Sequence, residues 1–150
     1  MSLDVKDLGI GRLKVQLQRL GKLKIMLGVQ GEEAAAIHPE AQVPTGLLAL
    51  WLHYGTNRMP ARPWVDHAIA QIRGQAGVAV KKAIADLIDG READEVEAMR
   101  PVGRMGVTAM VEAIDTSKSW ATPLARSTVI GKGHDQPLLD TGTLRDSNSY

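Results

Sequence analysis

Apolar residues recur at helical spacing over four stretches of the chain. Leu13, Leu17 and Leu20 lie four and three apart on one face, with Leu3 and Ile10 upstream of them. Gly9 and Gly11 weaken the first half, so the spacing predicts a helix over about 11–20, stopped by Gly21. Leu47, Leu48, Leu50, Trp51 and Tyr54 predict a short helix over about 46–54, with Thr45 as its cap and Gly55 as its stop. Val65, Ile69, Ile72, Ala76, Val80, Ala83, Ile84 and Leu87 predict the longest helix, over 64–89. Gly74 and Gly77 inside it cost about 1 kcal/mol each relative to Ala. Val102, Met105, Ala109, Met110, Ala113 and Ile114 predict a further helix over 103–115. The charged stretch from Arg91 to Arg100 reads equally as helix or linker.

The period changes to two in one place. Leu23, Ile25, Leu27 and Val29 alternate with Lys22, Lys24, Met26 and Gly28, the pattern of a strand with one buried face. Gln30-Gly31-Glu32-Glu33 reads as a turn and Ala34 to His38 as a return strand, closed by Pro39. The hairpin is expected to pack on the longest helix through Ile69, Ile72, Val80 and Ile84. The fold class is therefore α+β: a small antiparallel β-sheet packed against a long α-helix, with additional helices. A single domain over 1–150 is expected, with 121–150 as an extended C-terminal segment. That segment is polar and rich in turn formers, and its apolar runs are Thr128-Val129-Ile130 and Pro137-Leu138-Leu139. Residues 126–137 should gain little from burial within one small subunit. They are expected to be mobile in the free chain and to order on an adjacent subunit or a partner protein; a strand added to the hairpin within the same chain is the alternative.

Composition narrows the function. At 150 residues the chain can build a core without staples, and it has no Cys for a disulfide, a thiolate zinc site or a thiol nucleophile. Aromatics make up 3%, too few for a base-stacking platform. The net charge is +1, but its distribution is uneven. Residues 1–24 hold six cations against two carboxylates, and residues 91–120 hold four against six. Such a split suits head-to-tail association of copies, and equally two unrelated solvated faces. The longest stretch free of charge, 41–57, is broken by Pro44 and Gly46 and falls short of the ~20 residues a membrane span needs. The N-terminus has no signal-peptide core, so synthesis in the cytoplasm and no membrane partner are expected.

Catalytic constellations are missing from the pattern. His38, His53, His67 and His134 form no i, i+4 pair with an intervening glutamate. No G-x-S-x-G elbow occurs, and neither Gly9-Ile10-Gly11 nor Gly131-Lys132-Gly133 completes a phosphate loop. No catalytic residue, metal site or cofactor is assigned, and the chain is not expected to be an enzyme.

The most informative stretch is His53-Tyr54-Gly55-Thr56 followed by Met59-Pro60-Ala61-Arg62-Pro63-Trp64. An apolar helix ends in glycine, two prolines stiffen a loop around Arg62, and Trp64 opens the long helix. Such a loop can be a rigid connection, or a subunit contact that loses little entropy on binding. Arg62, between Pro60 and Pro63, is expected to bond carbonyls or a carboxylate of its own subunit or the next.

This block resembles a signature of the tail-completion, or neck, proteins of long-tailed bacteriophages. A second block is similar to that family's ending: Pro123-Leu124-Ala125-Arg126-Ser127-Thr128, Lys132-Gly133, then Pro137-Leu138-Leu139-Asp140-Thr141-Gly142-Thr143-Leu144. The likeness spans about residues 22–147. It implies a structural virion protein with no catalysis and no cofactor. Its copies would form a ring, commonly sixfold, where tail meets head. The implied partners are other copies, a tail terminator or tail-tube protein, and a head connector or stopper. DNA would be met only as the passing genome, and the location would be the virion neck, after assembly in the host cytoplasm. The expected subunit or partner contacts are Tyr54, Arg58, Arg62, Leu138, Leu139 and Leu144. A tail terminator or head-closure protein is the nearest alternative. A nucleic-acid-associated module using the basic N-terminal segment is the alternative of another class, and predicts salt-dependent DNA binding.

Overall fold

The computed structural model describes residues 9–92 and 94–150. Leu3 of the first apolar series lies outside them. The elements, in order, are α1 (Ile10–Leu20), β1 (Gly28–Val29), α2 (Gly31–Ala35), α3 (Thr45–Tyr54), α4 (Trp64–Ile88), α5 (Glu95–Asp115), α6 (Ser117–Trp120), α7 (Arg126–Lys132), α8 (Thr143–Asp146) and β2 (Asn148–Ser149). The fold is α+β, with a two-stranded antiparallel sheet and a long helix packed among others. Contacts divide it into two compact units. One takes the chain up to Ile25 together with Gly74–Val102, the other Met26–Arg73 together with Gly103–Tyr150.

The first unit holds α1, the second half of α4 and the start of α5. Gly21 stops α1 as expected, though in a right-handed conformation, with its N–H on the Leu17 carbonyl. Gly90 ends α4 at φ +71°. The N–H of Arg91 reaches the Asp86 carbonyl and that of Gly90 the Leu87 carbonyl, the paired bonds of a Schellman stop. The charged stretch turns helical after Asp94, whose Oδ1 accepts from the N–H groups of Val96 and Glu97 and so caps α5. Arg19 on α1 meets Glu95 at 3.6 Å.

The second unit carries the main core. Trp64 and Ala68 of α4, Met110, Ala113 and Ile114 of α5, Ala49 of α3, Leu138 and Leu144 are buried together. Small residues on α5 let distant chain come close. A Cβ on Gly106 would sit 2.5 Å from Leu27 Cδ2, and one on Gly103 would overlap the Tyr150 ring.

Two local expectations are overturned. The strand over 23–29 is reduced to Gly28–Val29, and it pairs with Asn148–Ser149 rather than with a return strand. Gly31–Ala35 is a helix, entered at Gly31 with φ +61° and favoured by Glu32, Glu33, Ala34 and Ala35. Glutamates in a first turn complement the helix dipole, and alanine is the best helix former. The hairpin is therefore absent. Ile69, expected to face it, is 43% exposed. Thr45 is also not a cap. Pro44 precedes the helix, and the Thr45 hydroxyl donates to the Ala36 carbonyl at 2.9 Å.

Ile114→Ala is expected to lower the unfolding free energy by about 2–5 kcal/mol, and Ile69→Ala by less than about 1 kcal/mol. Urea denaturation of both variants checks the placement; equal losses would contradict it.

Candidate functional site

The loop after α3 is built around a glycine that nothing else can replace. Gly55 has φ +79° and ψ 177°, a region open essentially to glycine alone. A Cβ there would lie 2.7 Å from the Ala61 nitrogen and 2.9 Å from the Met59 oxygen. The chain reverses over Thr56–Met59, with the Thr56 N–H on the Met59 carbonyl at 2.8 Å. It then runs back along α3, where the Arg62 N–H donates to the Leu52 carbonyl at 2.9 Å.

Arg62 is 3% exposed. Its Nε donates to the carbonyl of Thr122 at 3.0 Å, as expected of a guanidinium between two prolines. Burial lowers its pKa from the usual arginine value. Lys132, at the end of α7, is also largely buried. Its Nζ donates to the Leu139 carbonyl at 2.5 Å and lies 3.9 Å from the Asp140 carboxylate. Burial pushes the Lys132 pKa down, and the nearby Arg62 charge adds to this, against the pull of Asp140 and Glu40. A cavity of about 270 Å³ opens beside it, lined by His38, Glu40, Leu48, Lys132, Asp140 and Leu144.

The histidines serve local structure. His38 is buried, and its Nδ1 accepts from the N–H groups of Glu40 and Ala41. His53 Nε2 lies 3.5 Å from Asp66, and His67 stacks on Trp120 with ring centroids 4.1 Å apart. The Gln136 N–H donates to His134 Nδ1. Among the described residues no group of three His, Asp or Glu is placed to hold a metal ion.

The residues singled out as contacts separate into two sets. Tyr54 is 73% exposed and Arg58 is exposed, whereas Arg62, Leu138 and Leu144 are buried in their own chain and Leu139 is half-buried. Residues 135–138 make bonds within the chain. The Leu138 N–H donates to the buried Ser117 hydroxyl, Gln136 bonds the Asp115 carbonyl, and Lys118 pairs with Asp135 at 2.8 Å. Three residues beside Tyr54 were read only as apolar helix positions: Leu47, Leu50 and Trp51. All three are exposed. With Tyr54 they form an i, i+3, i+4, i+7 stripe on α3, which contains no Asp, Glu, Lys or Arg. Among the described residues no helix is long and apolar enough to cross a membrane. Comparisons with protein-family models, curated proteins and solved structures find no match.

Two measurements test this site. Arg62→Ala removes a charged donor from the Thr122 carbonyl and is expected to cost about 1.5–3 kcal/mol in urea unfolding, with Arg62→Lys recovering only part. Lys132 supplies a pH signature. The folded chain releases this proton at a lower pH than the unfolded chain, whose lysine titrates near the ordinary 10.5. Between the two values the unfolded state binds more protons, so stability rises with pH. The stability of the wild type minus that of Lys132→Met should therefore climb through that window; a fall would contradict the assignment.

Proposed function

We propose that the chain is a structural virion protein, a tail-completion subunit whose copies form a ring joining a phage tail to its head by protein docking. The observation that carries this reading is the meeting of the two motif blocks. Arg62 of the first donates to the carbonyl of Thr122, next to Pro123, which opens the second. Trp64 shares its core with Leu138 and Leu144. The residues behind the resemblance thus brace one another. That suits a docking scaffold and calls for no reacting group. The uncharged apolar stripe on α3 lies beside the braced loop, as a subunit contact would. A tail terminator or head-closure protein would use the same chemistry at another level of the neck.

Immunogold electron microscopy tests the reading, with antibodies to the full chain and virions from cells carrying its gene. Label is expected at the head–tail junction, and silencing the gene should leave unjoined heads and tails. Virions without label, or joined particles made in its absence, would overturn the proposal.

A further inference from the structure

Two helix faces are left partly uncovered among the described residues. On α1, Ile10, Leu13 and Leu17 line an open apolar surface together with Lys14 and Gln18. Ile10 is 69% exposed, while the residue that α1 buries is the polar Gln16. Leu13 and Leu17 are half-buried, so the fold covers this stripe only in part. On α3, the stripe Leu47, Leu50, Trp51 and Tyr54 borders a cavity of about 470 Å³ lined by Leu27, Val29, Leu50, Tyr54 and Trp64.

Charge determines how these faces can be covered. Residues 9–24 carry Arg12, Lys14, Arg19, Lys22 and Lys24 and no carboxylate. Residues 25–57, which include α2 and α3, carry Glu32, Glu33 and Glu40 and no Lys or Arg. Glu32, Glu33 and Glu40 are exposed, as are Arg12, Lys14, Lys22 and Lys24. The acids belong to α2, which packs on α3, so an α3-on-α3 contact would bring two acidic α2 helices together, and α1-on-α1 would set base against base. Only α1 on α3 matches apolar face to apolar face and opposite charge to opposite charge.

We infer that α1 of one copy docks in the α3 groove of a second copy, head to tail. An interface of this heterologous kind repeats, and closes into a ring when the rotation allows. The inference rests on the ring reading above and assigns its contact. Ile10, Leu13 and Leu17 enter beside Leu50 and Tyr54, and Lys14 and its neighbours face Glu32 and Glu33.

Two full-length variants with exposed substitutions decide it, read by native mass spectrometry and sedimentation, with circular dichroism as the check on folding. The first, Ile10→Asp with Lys14→Glu, spoils α1 and keeps α3. The second, Leu50→Asp with Tyr54→Asp, spoils α3 and keeps α1. The wild type is expected to form oligomers larger than a dimer. Each variant alone should be a monomer, its self-association weakened about a hundredfold. Their equimolar mixture should give a one-to-one heterodimer and nothing larger, because a single intact interface remains. Either variant assembling alone like the wild type, a mixture without heterodimer, or a wild type monomeric throughout overturns the inference. Immunogold labelling separates this from the neck reading. Label at the junction with both variants still assembling sinks only the α1–α3 contact. A heterodimer with unlabelled virions sinks only the neck assignment.

Discussion

A guanidinium withdrawn from water has to find its hydrogen bonds inside the protein, and the placement of Arg62 follows from that requirement. Its Nε reaches the Thr122 carbonyl, sixty residues further along the chain. Its own N–H and carbonyl tie the loop to Leu52 and Trp64. The proline-stiffened loop is thereby held between α3 and the start of the C-terminal segment. Trp64 enters the core from the end of that loop. Loss of this one side chain would leave the Thr122 carbonyl without this donor, while the loop keeps its backbone bonds to Leu52 and Trp64.

The C-terminal segment depends on the same principle applied several times. It has few apolar residues, yet Leu138 and Leu144 are buried and the stretch between them is fixed by polar bonds. Lys132 closes over the Leu139 carbonyl, and Arg145 holds Asp115 at 2.8 Å. Gly142, at φ +87°, turns the chain into α8, so Asp140-Thr141-Gly142 is the turn that its composition suggested. β2 then reaches β1 and closes the sheet. The partly buried bond of Lys132 helps to hold a segment with few apolar residues, while the exposed Arg145–Asp115 pair adds little.

The long helices were legible because burial imposes a period on them. α4 begins at Trp64 and α3 ends before Gly55, where the apolar spacing and the glycine place them. The hairpin was misread because alternation shows only that a strand is possible. The partner of Gly28–Val29 lies at Asn148–Ser149, and no local pattern signals a pairing over that separation. Reading residues 30–33 as a turn and 34–38 as a return strand overlooks that the glutamates and alanines of this run favour a helix. Arg62 was legible from the prolines around it. Lys132 was not, since a lysine between two glycines looks like solvated surface until Leu139, Asp140 and Arg62 are placed around it.

The polar groups of the chain secure its own fold, and the proposed ring uses the apolar stripes on α1 and α3. In that proposal, the division of charge between residues 9–24 and 25–57 joins copies head to tail. Single-particle electron microscopy of the purified full-length protein tests this most directly. The account predicts closed rings with each copy's α1 lying against α3 of its neighbour. Monomers, or dimers related by a twofold axis through α3, would contradict it.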